Sequence, residues 1–172
     1  MKALSVLLLL LLVPIPTQAA ALWFDPPHSD VLVGDTVTVA LESDQLTDLL
    51  AFTVTLGYDA AIVQPATVLP GEVVTEAPCP YFWFVFPPTA GDTLRLDAAA
   101  LGCRWSGSGT LARLRFIGLR DGITELHYLY GQLRDSQNDP ISITWGSALL
   151  SVHERPVRVL PTTWGKVRAL YR

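Results

Sequence analysis

Residues Leu49 to Pro65, LLAFTVTLGYDAAIVQP, decide the fold. Phe52, Val54, Leu56 and Tyr58 alternate with Thr53, Thr55 and Gly57. A period of two belongs to a strand with one apolar face. The run then meets Asp59-Ala60-Ala61 and stops at Pro65. Asp caps and Ala tolerates the αR region, so a turn or one helical turn is expected there. Ile62 and Val63 should then drop back onto the core. The Tyr58 ring should point inward, with its hydroxyl toward solvent or backbone.

The same alternation recurs on both sides. Val31-Leu32-Val33 forms a short first strand closed by Gly34-Asp35, and Thr36–Leu41 sets Val37, Val39 and Leu41 on one face. Thr110–Leu119 carries Leu114 and Phe116 against Arg113 and Arg115. Gly122–Tyr130 puts Leu126, Tyr128 and Tyr130 on one parity. Ile141–Val152 closes the domain, with Gly146 as a bulge or break. Gly, Pro, Asp and Asn punctuate these runs, and no long stretch of the body has a helical period. Strands with one apolar face need a second sheet to cover them. The expected fold is all-β: a two-sheet antiparallel β-sandwich with jelly-roll-like topology and about nine strands.

Residues 1–21 read as a secretory signal peptide. Lys2 supplies the positive end, Leu4 to Val13 the apolar run, and Ala19-Ala20-Ala21 the cleavage site. The run is too short to span a bilayer, and no later stretch is apolar enough to cross one. The mature chain is therefore expected to be secreted, extracellular or at the cell surface, as one domain over 22–153. Residues 154–161 read as a stiff basic linker. Residues 162–172 form a basic tail, with Trp164, Val167, Leu170 and Tyr171 on one face if helical. Between Leu22 and His153 there are 6 Arg, no Lys and 15 acidic residues, a net of −9. From Glu154 to Arg172 the net is +4. The acidic body argues against nucleic acid as a partner.

Cys79 and Cys103 flank a hairpin of Tyr81–Phe86, a turn Pro87–Asp92, and Thr93–Ala100. In an exported chain such a pair is usually a disulfide. It would stabilise the fold by roughly 3 kcal/mol. Two cysteines and three scattered histidines do not make a zinc site. Asp135, Asn138 and Asp139 could offer oxygens to calcium, but an Asx-capped turn explains them. There is no nucleophile elbow; Gly107–Gly109 reads as a turn, and neither an enzyme nor a cofactor is expected.

Three stretches together resemble cohesin domains: VLVGDTVTVAL (Val31–Leu41), the opening LLAFTVTLGYDAAIVQP, and GTLARLRFIGL (Gly109–Leu119). The closing LRDSQNDPISITWGSALLSV fits the same order. The resemblance covers roughly Ser29 to Val152. It implies a nine-stranded sandwich that binds a protein, of dockerin type, without catalysis. It also implies that a strand of the Cys79–Cys103 hairpin belongs to the sheet that contacts dockerin.

The local anomaly is CPYFWFVFPP, Cys79 to Pro88. Six consecutive bulky apolar residues cannot all face one core. Either Tyr81, Trp83 and Val85 or Phe82, Phe84 and Phe86 point outward. Trp and Tyr suit a platform better than Phe, because each carries a polar tip. The candidate binding residues are therefore Tyr81, Trp83, Val85 and, nearby, Trp105; the alternatives are that a loop or the C-terminal tail covers the second face, and that Trp105 is a rim residue packed on the disulfide. Such a surface would grip a protein or stack on polysaccharide rings. A further reading is a structural envelope subunit attached through its tail.

Overall fold

The computed structural model describes residues 19–86 and 91–156. Most of the stretch read as leader (1–18), the end of that read as linker and all of that read as tail (157–172), and part of the expected hairpin turn (87–90) lie outside the described residues.

Among the described residues, ten strands and one short helix follow in order. They are β1 (Ala20–Asp25), β2 (His28–Leu32), β3 (Thr36–Gly57), β4 (Val63–Pro70), α1 (Glu72–Thr75), β5 (Tyr81–Phe86), β6 (Thr93–Ala100), β7 (Trp105–Gly118), β8 (Gly122–Asp135), β9 (Ile143–Trp145) and β10 (Ala148–His153). The strand over 31–33 is thus preceded by β1, which begins inside the stretch read as leader. Ala20 is buried and pairs with Ile143, so the sandwich takes in Ala20 and Ala21 ahead of Leu22.

β3 builds the sandwich. The separate strands read at Thr36–Leu41 and Ala51–Tyr58 are one strand of 22 residues. Its first half lies between β1 and β7, and its second half between β6 and β8. One layer therefore runs β9–β1–β3–β7–β4. The other runs β5–β6–β3–β8, and the first half of β8 continues into β10 and β2. Register shifts between Leu41 and Leu49, with positive φ at Gln45 (56°) and Asp48 (60°), turn the corner between layers. Each shift changes which parity faces inward. Val39 and Leu41 are buried before the corner, Phe52, Val54 and Leu56 after it.

The corner costs backbone hydrogen bonds, and β7 replaces them. Ser108 Oγ accepts from Gln45 N–H at 3.2 Å, and Ser106 Oγ accepts from Asp48 N–H at 3.0 Å. The Gly107–Gly109 stretch read as a turn is therefore strand, following the bulged partner. Gly107 (φ 116°) and Gly109 (φ 142°) supply conformations that side chains resist.

All pairings are antiparallel except β1 with β9 and β2 with β10. Parallel neighbours need a long connection. Here the first two strands meet the last two, and nearly the whole of the described fold is the connection. Gly146 does break the closing segment. Its N–H donates to Leu22 O at 2.8 Å, and the chain passes from β9 in one sheet to β10 in the other.

At the end of β3, Asp59 Oδ1 accepts from Ala61 N–H at 2.8 Å, and Ile62 and Val63 are buried. Tyr58 differs from expectation. Its ring packs edge-on against Phe116 at 5.7 Å, but its hydroxyl is buried with no partner among the described residues. Cys79 and Cys103 are disulfide-bonded, Cα to Cα 5.9 Å, tying the entry of β5 to the entry of β7.

Candidate interaction face

The outer face of β5–β6–β3–β8 can be read off the register. Leu94, Leu96, Ala98 and Ala100 of β6 are buried, so Arg95, Asp97 and Ala99 face outward. β5 pairs with Tyr81 opposite Ala100, Trp83 opposite Ala98 and Val85 opposite Leu96. Cross-strand partners share a face. That sends Trp83 and Val85 inward and Phe82, Phe84 and Phe86 outward.

This corrects the expected platform. Trp83 packs edge-on against buried Phe52 at 6.1 Å, and its Nε1–H donates to Val68 O at 3.4 Å. Val85 packs against the core. Trp105 is 1% exposed and lies 5.9 Å from the Phe52 ring. The polar tips that argued for a platform do not mark the surface. Trp83 directs its tip to a carbonyl of β4, and Trp105 Nε1 is buried without a partner among the described residues. Of the four, Tyr81 is the most exposed, at 36%. With Trp105 in the core and Trp83 half-buried against it, the proposed sugar-stacking set is not assembled.

The exposed row is phenylalanine. Phe82 is 56% and Phe84 46% exposed, and their rings stack at 6.3 Å and 10°. Phe84 meets Phe86 edge-on at 4.6 Å. Arg95 lies over the Phe86 ring at 4.7 Å and forks onto Asp97, with bonds of 3.0 and 2.8 Å. The hydrogen bond to Asp97 raises the Arg95 guanidinium above its ordinary value. Such a pair is screened by water, and it mainly fixes the guanidinium in place.

Across the face, β8 adds Tyr130, Gln132 and Arg134. Sequence parity groups Tyr130 with Leu126 and Tyr128. A register shift where β8 passes Thr55 and Leu56 moves Tyr130 outward, 60% exposed, while Leu133 turns inward. Arg134 donates to Gln132 Oε1 at 2.6 Å through Nη2, and to Asn138 O at 2.8 Å through Nη1. Gly131 lets β8 lie close to β3, because a Cβ there would sit 2.2 Å from Thr53 O. Between the Phe row and Tyr130 lies an open groove of about 550 Å³, floored by Thr53, Asp97 and Ala99. The face is thus apolar on one side, charged along the middle and aromatic-polar on the other.

Elsewhere the polar clusters serve the fold. Asp135 Oδ1 accepts from Gln137 and Asp139 N–H, making the Asx-capped turn expected of that loop. Asp48 accepts from Ser136 Oγ at 2.5 Å and pairs with Arg104 at 3.0 Å. Both lower its carboxyl, the serine bond most. Pairing of β2 with β10 brings His153 within 2.7 Å and His28 within 3.6 Å of Asp30, though the sequence scatters them.

No family model and no curated protein matches the sequence. Solved structures do. A non-cellulosomal cohesin from the archaeon Archaeoglobus fulgidus is similar with a TM-score of 0.65 at 12% identity, over 79% of this chain and 92% of that one. The seventh ScaB type I cohesin of Pseudobacteroides cellulosolvens is similar at 0.65 and 14%, over 84% and 99%. A cohesin from a type I cohesin–dockerin complex of Clostridium thermocellum is similar at 0.64 and 12%, over 79% and 93%. At these identities the likeness is one of fold.

Proposed function

We propose that this cohesin-like domain is a non-catalytic recognition module, and that its β5–β6–β3–β8 face binds a dockerin-type protein. The observation that carries the reading is the Phe82–Phe84–Phe86 row on that face, Phe82 and Phe84 exposed and Phe86 half-buried, continuous with Arg95, Asp97 and Tyr130. Neighbouring aromatic rings supply apolar area at little conformational cost, and a fixed guanidinium supplies direction. Similar folds are found in complex with dockerins, which supports the choice of partner class. The Cys79–Cys103 bond supports an oxidising compartment, in keeping with export by a leader cleaved ahead of Ala20.

The test is calorimetric titration of the domain with dockerin modules that carry calcium repeats, in calcium and in chelator. Phe84→Ala should weaken binding about tenfold, and Phe84→Asp more, as for an aromatic anchor. Added polysaccharide should not compete. If no such module binds, or if the combined Phe82→Ala, Phe84→Ala and Tyr130→Ala variant binds unchanged, the reading fails.

A further inference from the structure

Strand β5 has one partner, β6, and among the described residues no strand pairs its other edge. The hydrogen-bond phase of that edge is fixed. Leu101 N–H donates to Pro80 O at 2.9 Å, so that pair is the bonded kind in an antiparallel ladder. Alternation makes Phe82, Phe84 and Phe86 bond to β6. The N–H and C=O groups of Tyr81, Trp83 and Val85 then point away from the sheet, into the open edge.

The other open edges of the two sheets are blunted. β4 carries Pro65, Pro70 and a register shift between Pro65 and Thr67. β2 carries His28 and Asp30, and β9 has three residues. Charges, prolines, bulges and brevity are the usual guards against edge pairing. The Tyr81–Phe86 edge has none within it. Prolines at 80 and 87 bracket it and limit any added strand to this span.

We infer that the β5 edge pairs antiparallel with the β5 edge of a second copy, centred on Trp83, to form a two-fold dimer with one continuous sheet. The argument for a second copy is register. With Trp83 opposite the second copy's Trp83, Tyr81 falls opposite Val85 and Val85 opposite Tyr81. All three open residues are satisfied at once, and by symmetry so are the copy's. On the outer face the same register sets Phe82 opposite the second copy's Phe84, twice, extending the stacked row already present in one chain. The axis is perpendicular to the sheet, so inner faces stay together. The apolar groove of about 360 Å³ under the edge, lined by Pro65, Val68, Leu69, Val85, Phe86 and Leu94, is then capped by its equivalent. The exposed Leu69 side chain is covered in the same step. An isologous contact of this kind closes on itself and does not propagate into fibres.

The test needs no dockerin and so stands apart from the recognition reading. Sedimentation of the full chain over about 1 µM to 1 mM should show a monomer–dimer equilibrium, a range set by ordinary affinities. A monomer throughout overturns the inference. Phe82→Lys alone and Phe84→Glu alone should each weaken the dimer by about tenfold or more, since each places a charge opposite a ring twice. Mixed, the two variants should recover it as a heterodimer, because the introduced ammonium then meets the introduced carboxylate once and ring meets ring once. Absence of recovery, with both variants folded by circular dichroism, overturns the register. Amide exchange at Tyr81, Trp83 and Val85 should slow as concentration rises. Exchange that is slow at every concentration means another segment of the same chain covers the edge, and exchange that is fast at every concentration means nothing does; either result overturns the proposal.

Discussion

Trp105→Ala separates a surface tryptophan from a core one by stability alone. Trp105 is 1% exposed and sits opposite Leu49 across the β3–β7 ladder, where β3 turns its corner. Removing the indole withdraws roughly 200 Å² of buried apolar area, about 5 kcal/mol at 25 cal/mol per Å². Losing the tilted contact with Phe52 at 5.9 Å adds to this. Partial collapse of the site, in a region already bent, subtracts from it. The net cost should be about 3–5 kcal/mol, the range for large aromatic truncations. No hydrogen bond to the described residues is lost, because Nε1 has no partner among them. That makes Trp105→Phe informative: it removes an unsatisfied donor and keeps a ring, so it should cost no more than about 1 kcal/mol. With a urea slope of about 1.5–2 kcal/mol per M for a domain of this size, the alanine variant should lower the midpoint by about 2 M. Phe84→Ala, on the outer face, should move it by no more than about 0.3 M. An alanine variant at position 105 that melts with the unmodified chain but loses a partner would return Trp105 to the surface and refute the inward assignment.

Three further outcomes follow from the geometry. Replacing both Cys79 and Cys103 by serine should cost about 3.5 kcal/mol for a loop closed over a separation of 24 residues, read as the difference between oxidised and variant protein in denaturant. Gly131→Ala should cost about 2–3 kcal/mol, because its Cβ would meet Thr53 O at 2.2 Å and push β8 off β3; thermal melting measures the loss, and dockerin binding should weaken with it. Asp48 has a lowered carboxyl, so its contribution is present above its ordinary 3.8 and is lost as pH falls through the lower folded value; Asp48→Asn should therefore flatten the fall in melting temperature in acid and leave Arg104 without its partner.

How far the sequence can be read depends on where each piece of information lies. The alternation of Val37, Val39 and Leu41, and again of Phe52, Val54 and Leu56, is local and legible. It even contains the corner, since the inward parity changes from odd to even between them. The residues that make the corner, Gln45 and Asp48 at positive φ, carry no apolar pattern of their own. Their hydrogen-bond partners, Ser106 and Ser108, lie some 60 residues away and look like an ordinary loop. Tyr130 escapes its parity for a related reason. A single register shift in β8 leaves composition unchanged and reverses every later side chain. β1 is hidden because Ala20 and Ala21 serve equally well as a strand start and as a cleavage-like motif.

The orientation of β5 shows what a uniform strand cannot say about itself. YFWFVF has no polar residue to mark its outer face, so its own alternation is empty. The deciding pattern sits on β6, where Leu94, Leu96, Ala98 and Ala100 alternate with Arg95, Asp97 and Ala99. Once the disulfide and the Leu101–Pro80 bond set the register, size decides the rest. Trp83 falls opposite Ala98 and Tyr81 opposite Ala100, so small residues face the bulkiest ring and the tyrosine. Phe86 falls opposite Arg95, whose guanidinium can cover a ring in water, and Phe84 opposite Asp97. Reversing the strand would put a charged pair against the core and two alanines on the surface opposite a tryptophan and a tyrosine. The preference for Trp and Tyr as surface residues rests on their polar tips. A short route to a backbone carbonyl, here Val68 O, satisfies such a tip without any exposure to solvent.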